Sequence, residues 1–550
     1  MTKHSKSREP APGEGRRDRG GARVFAMRSR MRQKAIQFAC LAAWLILLGP
    51  LTLSGRQVPI TIVHTTDLHG HILPTRDYDG REDVGGFLRC ATVIEQLREE
   101  APDLLLVDCG DLYQGTLVGY LTRGRIMTDA LAWMDYDAWV LGNHEFDWGM
   151  DELAALVDEA AIPVLGANIG VRPGATNPLP KVKPFVIREV DGVRVALVGL
   201  TTDAIPTWSR PHLLGDVVIS DSVETLRTIV PRVRALEPDV MVLLLHQGYR
   251  PFGDSPANQV NRIARQFPEF DLIVGGHSHQ PIERVQVNGI LYTQAGYHGI
   301  WLGKARLVYD TVARRVVDRD ARLIPIDDTI EFHEGLHEAL REDLDRAAQA
   351  DAVEIGAVKQ PVEPRSRVAG QSGVQTLICR ALADAAQAEV VLHGALSGEG
   401  LEPGAVKERD LWRIVPYENT IGVLQITASE LREILEENSE LLSGSQFMGV
   451  YGIRYDLHAY EEVGRRVRNL RMADGTPIHP RKRLRVAMNS YVLASGGGRF
   501  PAVRRIADDP LARLEMTGID TRGAVRNYIR RHSPVAIEVE DAVRLIRSPE

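Results

Sequence analysis

The chain has 550 residues, 44% of them hydrophobic and 25% charged, with a formal net charge of −7. That length supports two or more domains with full cores, and the ordinary composition excludes fibrous, collagen-like and low-complexity classes. The first 34 residues hold 11 Lys and Arg against three acids, about +8, which leaves the rest of the chain near −15 and gives no bulk-charge reason to expect nucleic acid or an anionic membrane as partner.

In chain order, a basic arm leads into Phe38–Leu51, an apolar run of 14 residues (FACLAAWLILLGPL). This is short of the roughly 18 or more residues of a spanning helix and suits the core of an export signal. Residues 1–57 are therefore read as an arm plus signal peptide or uncleaved anchor; a start at Met27 or Met31 would give a more conventional leader. Cys40 lies in this leader. Cys90, Cys109 and Cys379 show no metal spacing and read as small buried residues.

From Ile60 to Ile326 short apolar runs alternate with amphipathic stretches. The runs are Ile60–His64, Leu104–Asp108, Ala138–Gly142, Val193–Leu200, Val240–His246 and Leu272–Gly275. Near-continuous Val, Ile and Leu over five to eight residues predicts strands buried on both faces. Helices are expected between them, at Gly85–Glu100, Asp151–Ala160 and Ser222–Leu236, so 58–326 reads as an α/β domain. Residues 327–360 begin with a charge-rich stretch read as a linker helix. A second α/β domain is expected over 361–547, with helices at Val374–Ala386 and Ala428–Leu441, strands at Ile421–Ile426, Gly452–Leu457 and Arg483–Met488, and Gly496-Gly497-Gly498 in a loop.

Five polar clusters sit where apolar runs end: Asp67-Leu68-His69, Gly110-Asp111, Gly142-Asn143-His144-Glu145, His246 and Gly275-Gly276-His277-Ser278-His279. Ligands of open α/β sheets bind beyond the carboxyl ends of strands, so these clusters should converge on one crevice. Carboxylate, imidazole and amide without thiolate suit a divalent metal. Seven such groups are too many for one tetrahedral ion and suit two ions sharing a carboxylate. Converging imidazoles and carboxylates would be costly to bury without a cation.

The segments HTTDLHGH, VDCGDLYQGT, LGNHEFDWG, LLLHQG and GGHSH resemble the calcineurin-like metallophosphoesterases, and within them the exported 5′-nucleotidase family. The resemblance implies a four-layer α/β/β/α catalytic sandwich followed by an α/β substrate domain. It also implies two divalent ions (Mn, Zn, Co or Fe), one held by Asp67, His69, Asp111 and His279, the other by Asp111, Asn143, His246 and His277. His144 would stabilise transition-state charge or protonate the leaving oxygen, with Asp147 orienting its ring, whereas His71 reads as a structural or rim histidine.

The C-terminal segments DLWRIVPYENTIGVLQITASELREILE, GVYGIRYDL and RVAMNSYVLASGGGRFP resemble the same family. By position Tyr417, Asn419 and Tyr491 match its base-binding residues. Two departures stand out: 392–398 has no Arg where the family usually carries N-x-GGIR, and Gly496-Gly497-Gly498 replaces GGD. PYEN, IRYDL and GGG-x-FP look more like the 2′,3′-cyclic-nucleotide phosphodiesterase branch, HEFD more like 5′-nucleotidases. The expected substrate is a small nucleotide, with a UDP-sugar or a thiosulfate ester as the alternative. Oligomeric state stays open.

Overall fold

The computed structural model describes residues 56–366, 370–442, 444, 446–539 and 541–548. The basic arm and the apolar run at 38–51 lie outside them. None of the described helices is long and apolar enough to cross a membrane.

Two six-stranded sheets form the first part of the chain. One contains β1 (Gln57–Thr65), β2 (Leu105–Asp108), β3 (Ala138–Val140) and β4 (Val164–Leu165). The other is built from β5 (Phe185–Val190), β6 (Val193–Leu200), β7 (Val240–Leu245), β8 (Leu272–Gly275), β9 (Pro281–Val287) and β10 (Ile290–Ala295). Strands β11 (Trp301–Asp310) and β12 (Arg315–Pro325) return to the first sheet. The orders are β12-β11-β1-β2-β3-β4 and β9-β10-β8-β7-β6-β5. Strands β1 to β4 run parallel, as do β6, β7, β8 and β10.

Side-chain alternation along the pleat divides each strand between two cores. Ile60, Ile62, Leu105 and Val107 meet Val195, Leu197, Val242 and Leu244 between the sheets. Val63, Leu104 and Leu106 face α1 (Phe87–Glu100) on one outer side. Leu243 and Leu245 face α2 (Ser222–Arg234) on the other. Helix, sheet, sheet and helix thus make four layers, and burial on both faces is why the strands read as unbroken apolar runs.

The charge-rich stretch forms α3 (Glu334–Asp351). Its apolar stripe, Leu336, Leu340 and Leu344, packs into the outer core of the first sheet. Beyond it, β13 (Val390–His393), β14 (Thr420–Thr427), β15 (Gly449–Tyr451), β16 (Arg483–Asn489) and β17 (Glu515–Asp520) form a sheet of order β15-β13-β16-β14-β17. Helices α4 (Gly373–Ala386) and α5 (Ala428–Asn438) flank it, each opened by a capping box, at Ser372/Gln375 and Thr427/Glu430. Cys90, Cys109 and Cys379 are buried free thiols.

Two seams join the halves. Thr207 offers its carbonyl to Gly497 N (3.2 Å) and Ser495 Oγ (2.9 Å). A Cβ on Gly497 would lie 2.4 Å from Trp208 Nε1, so a glycine is needed where the triple-Gly loop meets that ring. The second seam is Gln114, whose Nε2 donates to Pro416 O (3.2 Å) and to Glu418 Oε2 (2.7 Å).

Candidate active site

The polar clusters leave the carboxyl ends of the parallel strands: Asp67 and His69 after β1, Asp111 after β2, Asn143 and His144 after β3, His246 after β7, His277 and His279 after β8. The chain turns sharply there. Asp67, His69, Asp111, His277 and His279 all adopt positive φ, between 49° and 71°. Non-glycine residues enter that region only where surrounding contacts hold them, and such positions cluster at functional sites.

Those contacts are bonds from main-chain N–H groups of one loop to carbonyls and carboxylates of the next. Asp67 N donates to Gly110 O (2.8 Å), and His69 N to Asp111 O (2.9 Å). Asp111 Oδ1 accepts from His144 N (2.8 Å), and both Asp67 oxygens from His277 N (3.0 and 3.1 Å). The buried Glu145 carboxylate ties β2 to β3 through Asp111 N (3.0 Å) and Leu112 N (2.7 Å). The approach is close enough to demand glycine: a Cβ on Gly142 would fall 2.3 Å from Asp111 Oδ1.

Two donor clusters result, Asp67–His69–His279 and Asp111–His246–His277, each with ligand atoms within 4.8 Å of one another. Asp111 Oδ2 lies 3.2 Å from His246 Nε2 and 3.9 Å from His69 Nε2, between the two. Asn143 Oδ1 is 3.2 Å from His246 Nε2. All seven sequence-predicted ligands therefore converge.

The donor set fits cations. His69 Nδ1 is 2.8 Å from Gln114 O and His246 Nδ1 is 2.6 Å from Cys109 O, so both rings spend the Nδ1 proton on a carbonyl and turn Nε2 inward. Inside, His69 Nε2 meets His279 Nε2 at 3.0 Å, and His246 Nε2 meets two oxygens. His277 Nδ1 is buried without a hydrogen-bond partner. Burial pushes His69 and His277 down to about 3, which keeps both rings neutral and their lone pairs free. Burial opposes charge on His246 too, but the Asp111 carboxylate overrides it and lifts the ring to about 9. A proton there holds the place that a cation fits.

His144 Nδ1 lies 2.6 Å from Asp147 Oδ2. Burial disfavours its charge, yet Asp147 and then Asp111 raise it to about 10, which favours the protonated ring. It borders the first cluster, 5.2 Å from His69 between ring centroids. Tyr417 stacks on it, 5.7 Å away with planes 14° apart. Asn419 Oδ1 accepts from Ser490 Oγ (3.4 Å), which brings the Tyr417 and Tyr491 loops together. Tyr491 carries the Arg499 guanidinium over its ring at 5.6 Å.

A cleft of about 1800 Å³ runs from His69 and His279 past Tyr417 into the second half. Residues 395–399 line it, and its arginines come from elsewhere: Arg76, Arg365, Arg409 and Arg413. Sequence reasoning missed these. It also missed His298, which stacks on the rim histidine His71 at 3.7 Å, and Tyr78, which stacks on Tyr297 at 4.7 Å beside His279.

Residues 60–281 match the family model for calcineurin-like phosphoesterases, and 353–505 that for the 5′-nucleotidase C-terminal domain. The chain is 24% identical over 562 residues to the protein UshA of Yersinia enterocolitica, covering 93% of this chain and 97% of that one. It is 26% identical over 451 residues to the 2′,3′-cyclic-nucleotide 2′-phosphodiesterase/3′-nucleotidase of Haemophilus influenzae, with 69% and 67% covered. The trifunctional nucleotide phosphoesterase YfkN of Bacillus subtilis is 25% identical over 490 residues; these are 80% of this chain, which spans only 32% of that longer protein. Among solved structures, the 5′-nucleotidase precursor of Thermus thermophilus shares the fold at TM-score 0.70 and 22% identity, over 89% of this chain and all of that one. The chain belongs to the calcineurin-like phosphoesterases, in the group whose catalytic fold is joined to a 5′-nucleotidase C-terminal domain.

Proposed function

We propose that this protein is an exported phosphohydrolase that cleaves phosphate esters of small nucleotides, as a 5′-nucleotidase, a 2′,3′-cyclic-nucleotide phosphodiesterase/3′-nucleotidase, or both. The observation that carries it is Asp111 standing between two donor clusters while His144, paired with Asp147, borders them under Tyr417.

Asp67, His69, Asp111 and His279 would hold one divalent ion, and Asp111, Asn143, His246 and His277 the other. When bound, such a pair supplies Lewis acidity toward phosphoryl oxygens and a nucleophilic water at neutral pH. The chain's own residues do the rest. Gln114 and Cys109 carbonyls fix the tautomers of His69 and His246. Asp147 orients the His144 ring and keeps it charged, so that it can stabilise the transition-state oxygens or give its proton to the leaving group. Tyr417 and Tyr491, with Asn419 between their loops, would bind the base by stacking. Export rests on the basic arm and the apolar run at 38–51.

Purified protein with Mn²⁺ should be assayed against 5′-AMP, 3′-AMP, 2′,3′-cyclic AMP, UDP-glucose and bis-p-nitrophenyl phosphate. Nucleotide kcat/KM above that of bis-p-nitrophenyl phosphate is the expected result. UDP-glucose as the sole good substrate, or no phosphoesterase activity at all, would overturn the reading.

A further inference from the structure

Glu418 lies between Tyr417 and Asn419, the two residues of that loop matched to the family. Its carboxylate is almost wholly buried, as is the Arg522 guanidinium 2.9 Å from Oε1. Arg522 Nε donates to Val415 O (2.8 Å), and its guanidinium lies 3.1 Å over the Trp412 ring. The other oxygen, Oε2, accepts from Gln114 Nε2 (2.7 Å) and from Trp148 Nε1 (3.3 Å). So one carboxylate of the second half holds two residues of the first.

Those two residues sit on the loops that carry the chemistry. Gln114 is completely buried, and its carbonyl is the acceptor that fixes the His69 ring. Trp148 directly follows Asp147, which holds His144. Neutralising an Arg beside a buried carboxylate is expensive, so the pair resists being pulled apart in this arrangement. A weaker tie would serve if the contact only glued two surfaces. What Glu418 gains is direction, since the Arg522 side fixes the oxygen that faces the loops.

We infer that Glu418 is a positioning residue: through Gln114 and Trp148, its Arg522-anchored carboxylate sets the His69 ring and the His144–Asp147 pair when the second domain docks. This rests on the proposed hydrolytic role of the site, but on no particular substrate.

Removing Glu418 alone would strand a buried guanidinium, so paired substitutions are the test. Glu418→Gln with Arg522→Met keeps an oxygen for Gln114 and Trp148; Glu418→Leu with Arg522→Met removes it. Bis-p-nitrophenyl phosphate, which has no base, should be the substrate, and Mn²⁺ affinity should be measured by calorimetry without substrate. Compared with the Gln/Met protein, the Leu/Met protein should bind Mn²⁺ about 10-fold more weakly, and its kcat should fall by about 10- to 100-fold at similar KM. Equal kcat and equal Mn²⁺ affinity in the two proteins would overturn the inference even if the enzyme proved not to use nucleotides. If the Leu/Met protein does not fold, Gln114→Leu removes the same bond from the catalytic side, and wild-type kcat and Mn²⁺ affinity in that variant would overturn it equally.

Discussion

The two walls of the cleft are built on different principles. On the first, the loops after β1 and β2, and those after β7 and β8, are joined main chain to main chain, the buried carboxylates of Asp67, Asp111 and Glu145 tie in the rest, and five ligand-type residues adopt positive φ. On the second, Tyr417, Arg365, Arg409 and Arg413 line the cleft with side chains, and the three arginines are exposed. A rigid wall suits a charge constellation that fails if its spacing changes by an ångström. An adjustable wall suits recognition, where a base can be stacked by any ring at the right distance. The difference teaches that reaction and substrate are separately encoded in this chain, and each prediction below tests that separation, in falling order of effect.

The rigid wall should fail as a unit. Asp111→Ala removes the carboxylate between the clusters, and kcat should fall by about 10⁴-fold or more on every substrate. Metal analysis should find both ions lost together, and chelation of the wild type should give the same silence, reversed by Mn²⁺, Co²⁺ or Zn²⁺. One ion retained at full occupancy in Asp111→Ala would mean that the clusters are independent.

His144→Ala should cost about 10²- to 10⁴-fold in kcat with both ions still bound, because His144 contributes charge and a proton rather than a ligand atom. Loss of one ion in this variant would instead make His144 part of the metal set, and the boundary between holding metal and moving protons would have to be redrawn.

The sequence made the rigid wall visible and left much of the other hidden, for a physical reason. Strands such as β1 and β7 are buried on both faces and read as apolar runs, so the polar residues that end them stand out. Edge strands β9 and β12 are mostly exposed or half-buried and carry Glu, Arg and Asp; no run marks them. His298 follows β10 as His277 follows β8, but Thr293 and Gln294 interrupt the apolar pattern ahead of it. Glu418 and Arg522 are 104 positions apart, and no local spacing reports such a pair. The charge-rich stretch at 327–360 also carries one leucine every turn, and α3 packs Leu336, Leu340 and Leu344 into the outer core of the first sheet. The missing Arg at 392–398 was legible as an absence; the arginines that line the cleft, drawn from three separate segments, were not.

The adjustable wall gives smaller effects, and they should not be equal. Tyr417→Ala removes a ring that would stack on a base and that also lies over His144, so KM for nucleotides should rise about 10-fold and kcat on bis-p-nitrophenyl phosphate should fall severalfold as well, about the worth of one lost stacking contact in each case.

Tyr491→Ala should be the cleanest and the mildest. Tyr491 carries Arg499 over its ring, and its loop meets the Tyr417 loop at the Ser490–Asn419 bond, whereas the ring that stacks on His144 is that of Tyr417. Loss of Tyr491 should therefore raise KM for nucleotides, by about 10-fold from the lost stacking of one base, and leave kcat on bis-p-nitrophenyl phosphate unchanged. The ratio of the two substrates' kcat/KM reads recognition with chemistry divided out. A tenfold change in that ratio for both variants, with kcat on bis-p-nitrophenyl phosphate falling only in Tyr417→Ala, would show that one tyrosine serves the base alone and the other both walls. If bis-p-nitrophenyl phosphate suffers as much as the nucleotide in Tyr491→Ala, then the ring supports the fold of its loop, and the base must be held by the arginines and Tyr78 across the cleft.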